Sequence, residues 1–148
     1  SCKRVGIDPK QEKDCYFATV IYDEKGKLLT GGNVESTVAL LEGLGVDVLG
    51  INCGLGPEQM KDILADILKV SSTPVLVNPN AGLPRSENGK TVYDVDPEDF
   101  AAVMEEIVKM GAVVTGGCCG TTPAHIAKMI QRVKDIPAVV HTPAPAPW

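Results

Sequence analysis

A short apolar run, a polar or glycine-rich loop and an amphipathic stretch recur four times along this chain. That alternation restricts the fold more than any other feature of the sequence. The apolar runs are Phe17–Tyr22, Val46–Asn52, Pro74–Asn78 and Ala112–Thr115. They are short and largely apolar, as strands covered on both faces are. Between them lie stretches with helical spacing. Val34–Leu44 follows Asn33 as N-cap and gathers Val38, Leu41 and Leu44 on one face. Pro57–Lys69 gathers Met60, Ile63, Leu64, Ile67 and Leu68, with proline at the first helical position. Pro97–Met110 follows Asp96 and gathers Ala101, Met104, Ile107 and Val108. A last helix runs from Pro123, after Thr122, to near Asp135. Strands alternating with helices predict an α/β fold with a parallel sheet and right-handed crossovers. Four β-α units make half of a (β/α)8 barrel, a fold that takes about 250 residues when whole. An open four-stranded sheet is the alternative.

The segments richest in chemistry all follow the C-terminal end of a strand: Asn52-Cys53-Gly54, Asn78 to Gly82, and Gly116 to Gly120. Barrel enzymes carry their chemistry on that edge. The stretch Ala81 to Val95 reads as a long polar loop, and loops of that length in compact domains are usually functional. The half-barrel is expected over 17–136, with a lead-in over 1–16. The proline-alanine tail, 137–148, reads as an extended linker to a further domain. The chain starts at Ser1 rather than Met, as a processed or excised chain would.

A net charge of −5 with no Lys/Arg cluster argues against nucleic acid as a partner. No apolar run is long enough to span a membrane, and Ser1–Val5 does not open a signal peptide. Five cysteines, an odd number, make a poor disulfide framework and point to the reducing cytoplasm.

Cys118 and Cys119 are adjacent and flanked by Gly116, Gly117 and Gly120, which permit the sharp turn that aims both thiols at one point. Cys53 ends a strand two places away in the sheet. Together the three would leave one position of a tetrahedral ion open, the arrangement of a catalytic rather than a structural zinc. Soft thiolates favour Zn²⁺ over Mg²⁺ or Ca²⁺. Three of them leave the site net negative, a poor activator of water but a good host for a substrate thiolate. The ligand set therefore points to thiol alkylation. The competing readings are a small buried hydrophobe for Cys53 and a strained vicinal disulfide for Cys118–Cys119. Cys2 and Cys15 receive no role. His125 and His141 read as ordinary polar residues, and Asp94-Val95-Asp96 as a helix start.

Gly50-Ile51-Asn52-Cys53, followed by Gly116-Gly117-Cys118-Cys119-Gly120-Thr121-Thr122-Pro123-Ala124-His125-Ile126, resembles the motif of the homocysteine S-methyltransferases. Leu55–Met60, Pro79–Pro84 and Thr91–Asp94 are similar to the homocysteine-binding domain of cobalamin-dependent methionine synthases. The resemblance implies a β/α barrel, zinc on Cys53, Cys118 and Cys119, and Asn80 as fourth ligand when substrate is absent. A turn residue after Pro79 is the plain alternative for Asn80. It further implies homocysteine as substrate and methyl transfer from cobalamin held on another domain. The chain matches only the second half of the family's barrel, so the first half and the cobalamin and folate domains are expected partners. The fragment is not expected to turn over alone. Rival functions are a homocysteine methyltransferase with a sulfonium or betaine donor, and a non-catalytic zinc-binding or assembly module. Two free sheet edges, at Phe17–Tyr22 and Ala112–Thr115, predict self-association into a closed homodimer that buries Val48, Ile51 and Val113.

Overall fold

The computed structural model describes residues 15–139; Cys2, His141 and most of the lead-in and the proline-rich tail lie outside them. Strand β1 (Phe17–Val20), helix α1 (Val34–Gly43), strand β2 (Val48–Asn52), helix α2 (Pro57–Val70) and strand β3 (Val75–Asn78) alternate as expected. Strands β4 (Pro84–Glu87) and β5 (Lys90–Tyr93) come next. They are followed by helix α3 (Pro97–Met110), strand β6 (Val114–Thr115) and helix α4 (Pro123–Val133).

The parallel sheet has the order β1-β2-β3-β6. Its strands stand side by side in chain order, without the reversal that marks a doubly wound sheet. The helices are confined to one face. Leu49, Ile51, Val75 and Val77 share a single core with Met60, Ile63, Leu64 and Ile67 of α2 and Phe100, Met104 and Ile107 of α3. Successive strand residues point to opposite faces. In-register Thr19, Gly50, Leu76 and Val114 therefore turn away from the helices, where the interior of a barrel lies. Sequential strands with helices on one side only are half of a (β/α)8 barrel, and β1 and β6 are its two edges among the described residues.

Three expectations are corrected. Residues 81–95 are not one loop, because β4 and β5 pair antiparallel within them. The turn between them is Asn88-Gly89, with φ of 51° and 75°. Left-handed values at both central residues make the tight hairpin turn that Asn-Gly favours. Leu44 lies just past the last turn of α1 as its C-cap and is 70% exposed, so it does not extend that helix's apolar face. Of the residues expected to be buried by dimer closure, Ile51 already packs under the helices at 1% exposure. Val48 is also already buried, at 8%, and only Val113, at 50%, is left exposed for such a closure to cover.

Asp96 caps α3 by accepting from the Glu98 and Asp99 amides, both at 2.9 Å. It is the helix start that the sequence implied. No helix among the described residues is long and apolar enough to cross a membrane.

Candidate metal centre

The main chain beyond β3 ties two cysteine loops together. On one side, the Cys53 amide donates to the Asn78 carbonyl at 3.0 Å, and the Asn80 amide donates to the Leu55 carbonyl at 2.9 Å. On the other, the Cys118 amide donates to the Pro79 carbonyl at 2.8 Å, and the Ala81 amide donates to the Cys119 carbonyl at 2.9 Å. Four backbone hydrogen bonds thus extend the sheet past its strands and set the spacing of the loops. Cys53 takes a φ of 57°, unusual for a residue with a side chain. Such backbone strain costs about 1–3 kcal/mol and tends to mark functional sites.

The cysteine pair needs its glycines for room as well as for turning. A Cβ on Gly117 would meet Thr121 Cγ2 at 2.4 Å. Gly120, with a φ of 78°, packs against the ring of Tyr93 so closely that a Cβ there would lie 2.3 Å from its Cγ.

These loops bring three thiols to one point. Cys53 Sγ lies 3.6 Å from Cys119 Sγ, and Cys118 Sγ lies 3.9 Å from it. All three sulfurs are within 4.8 Å of one another. Two sulfurs on one tetrahedral zinc, each bonded at about 2.3 Å, would sit about 3.8 Å apart. The observed spacings fall on either side of that value, so the three thiols fit a zinc-sized ion. The thiols are free.

Burial alone would raise the pKa of Cys53. Hydrogen bonds from the Gly54 amide, from the Cys118 and Cys119 thiols and from Asn80 outweigh it and hold Cys53 below the ordinary thiol value. Cys118 is pushed up to about 11 by burial and by the neighbouring Cys53. Ionising one thiol opposes ionising its neighbours, and a bound cation would offset that repulsion.

Asn80 is 3% exposed. Its Oδ1 accepts from the Cys119 amide at 3.1 Å, and its side chain helps to hold the Cys53 pKa down.

A profile of the family described as homocysteine S-methyltransferase matches residues 3–133. The chain belongs to that family. Methionine synthase from Mycobacterium tuberculosis (strain ATCC 25618 / H37Rv) is 38% identical over 121 residues, 81% of this chain and 10% of the relative. Methionine synthase from Mycobacterium leprae (strain TN) is 38% identical over 118 residues, 79% of this chain and 10% of the relative. The metallated form of the homocysteine methyltransferase MmuM from Escherichia coli superposes with a TM-score of 0.61 at 30% identity. That match covers 79% of this chain and 35% of the solved one. The chain thus spans about a tenth of the curated relatives it matches and about a third of the solved homocysteine methyltransferase.

Within this member of the family, the sequence located the three cysteines and Asn80, and the fold brings them together. Cys15 is exposed and stands outside the thiol cluster. His125 is 6% exposed, and the amide of Thr122 donates to its Nδ1 at 3.2 Å. The remaining ring nitrogen, Nε2, then carries the proton and donates to the Val95 carbonyl at 2.8 Å. Its ring also meets Phe100 edge-on, with centroids 5.4 Å apart. The histidine is a structural strut, not a ligand. Tyr93 went unassigned in the sequence. It is half-buried at the end of β5, with its ring against Gly120, the residue after Cys119. Burial, followed by the charge of the Cys119 thiolate, raises its pKa. Its signal was the Asn-Gly turn, which folds residues 84–93 into a hairpin.

Proposed function

We propose that Cys53, Cys118 and Cys119 bind zinc and that the site activates the thiol of homocysteine for methyl transfer. The observation that carries this reading is the convergence of three free thiols at spacings suited to one tetrahedral ion. The metallated form of MmuM and the methionine synthases among the relatives support it. Bound zinc supplies the means to hold a substrate thiol as a thiolate nucleophile near neutral pH. The chain's own part is geometric and electrostatic. The backbone ties at 78–81 set the thiol spacing. Three anionic sulfurs keep electron density on a fourth. Asn80 stands beside the remaining position, and a carbonyl oxygen with two lone pairs can accept from Cys119 and still face that position in the absence of substrate.

The methyl donor in this reading is methylcobalamin on another domain of a larger protein, as the methionine synthase relatives favour. The metal-bearing unit is 17–136, with 1–16 leading in and 137–148 linking onward. The cytoplasm, which keeps thiols reduced, is the compartment that suits it. The missing half-barrel is needed for turnover, and the isolated chain binds metal without methylating homocysteine. A second copy of the chain can stand in for that half at the open edges.

Elemental analysis of the reduced protein tests the core of the reading. About one zinc per chain is expected, lost on acidification as protons compete for the thiolates. Cys118→Ala, with two thiolates left, should bind far more weakly. A reduced, folded chain that takes up no zinc would sink the proposal.

A further inference from the structure

We infer that His125 is a positioning residue of the thiol centre, closing a circuit of hydrogen bonds through Val95 and Ala81 that holds the loop of Cys118 and Cys119 in place. The inference rests on the metal reading above and adds to it a residue that is not itself a ligand. The circuit has a covalent half and a hydrogen-bonded half. Residues 119–125 of the chain form the first. In the second, His125 Nε2 donates to the Val95 carbonyl at 2.8 Å, the Val95 amide donates to the Ala81 carbonyl at 3.0 Å, and the Ala81 amide donates to the Cys119 carbonyl at 2.9 Å. The segment that carries the cysteine pair into α4 is therefore pinned at both ends, at Cys119 and at His125.

The ring is set up for this task. Its Nδ1 faces Thr122, whose amide lies at 3.2 Å and whose hydroxyl lies at 2.8 Å. An amide N–H can only donate, so Nδ1 accepts and the proton stays on Nε2, the side of Val95. Thr122 is the N-cap of α4 and His125 its third residue, so Nδ1 takes the part that a Glu or Gln side chain plays in a capping box. A glutamate there would satisfy the cap and offer no donor to Val95. Phe100, fully buried on α3, meets the imidazole edge-on and limits its rotation. His125 itself is 6% exposed, so a Val95 carbonyl deprived of its donor gains little water in exchange.

Two replacements separate the two nitrogens. His125→Gln puts an amide N–H near the place of Nε2 and keeps the tie to Val95. His125→Asn puts an oxygen near the place of Nδ1, keeps the cap and falls short of Val95. Hydrogen exchange at the Ala81 and Val95 amides reads the circuit. Co(II) titration of the reduced chain reads the thiol arrangement through its absorption bands and its affinity. In His125→Asn both amides should exchange about tenfold faster and Co(II) affinity should fall about tenfold, while His125→Gln stays near wild type in both. Equal losses in the two variants make the histidine a packing residue and overturn the inference. Exchange and Co(II) binding that coincide in wild type and His125→Asn overturn it while leaving the metal reading intact, and a His125→Asn chain that loses its fold overturns it as well. A wild-type chain that binds no Co(II) overturns the metal reading. Amide exchange then decides the circuit on its own, and equal rates in wild type and His125→Asn overturn it.

Discussion

Replacing Gly120 with alanine should unfold this protein more easily by two separable routes. At a φ of 78°, any L side chain is strained, at a cost of about 1–2 kcal/mol. The new Cβ would also lie 2.3 Å from Tyr93 Cγ and 2.7 Å from its Cβ. Those are atoms near the root of the side chain, which cannot swing aside without moving β5. Overpacking of that kind costs about 1–3 kcal/mol. The sum is about 3 kcal/mol, and with a urea slope of about 2 kcal/mol/M the unfolding midpoint should fall by about 1.5 M. Gly89→Ala is the matched control. Its φ is 75° and nothing lies within 4 Å of the added Cβ, so it carries the backbone cost alone. Urea unfolding of both variants, followed by circular dichroism, isolates the Tyr93 contact as their difference. Equal midpoints for Gly120→Ala and Gly89→Ala would refute the reasoning, because the ring would then not occupy the space assigned to it.

Glu42 predicts a pH effect. Burial opposes its charge, but hydrogen bonds from the amides and hydroxyls of Ser72 and Thr73 win and lower its pKa, the Ser72 amide at 2.6 Å among them. A depressed carboxylate stabilises the fold above its unfolded value of about 4.3 and loses that contribution as pH falls through its folded value. Glu42→Gln should therefore cost about 1 kcal/mol near neutrality, with the gap to wild type closing in acid; a gap constant from neutrality into acid would count against it. Asn80→Ala should leave zinc bound but admit an added thiol more readily. X-ray absorption at the zinc edge, with and without homocysteine, reads the change in sulfur count, and an unchanged spectrum in wild type would mean that the fourth position is closed. Sedimentation equilibrium at micromolar concentration should find the isolated chain self-associated through its β1 and β6 edges; a monodisperse, folded monomer would rule out closure by a second copy.

The strand-helix rhythm and the cysteine pair were legible because both rest on local rules. The apolar stripe of α2 appears in the structure with all five expected residues buried. The hairpin was hidden by its composition. Arg85, Ser86, Glu87, Lys90 and Thr91 show no apolar alternation because both faces of β4 and the start of β5 meet water. Only Asn88-Gly89 announced it. Leu44 was misread because helical spacing does not say where the last turn stops. His125 looked ordinary because the partner of its Nε2 is the Val95 carbonyl, 30 residues away, and a carbonyl has no residue type to recognise. The packing of Tyr93 against Gly120 needed the register of the hairpin, which one sequence does not display.

The four ties around residues 78–81 run through main-chain atoms, apart from the side chain of Asn80. The distance between the thiols is therefore a property of peptide geometry, inherited from the pitch of the sheet. Pro79 and Ala81 are both buried, so a new side chain there must fit its space as well as keep the same backbone path. Position 81 must also offer an N–H, which excludes proline. Such a centre is disabled by changes that leave every ligand in place.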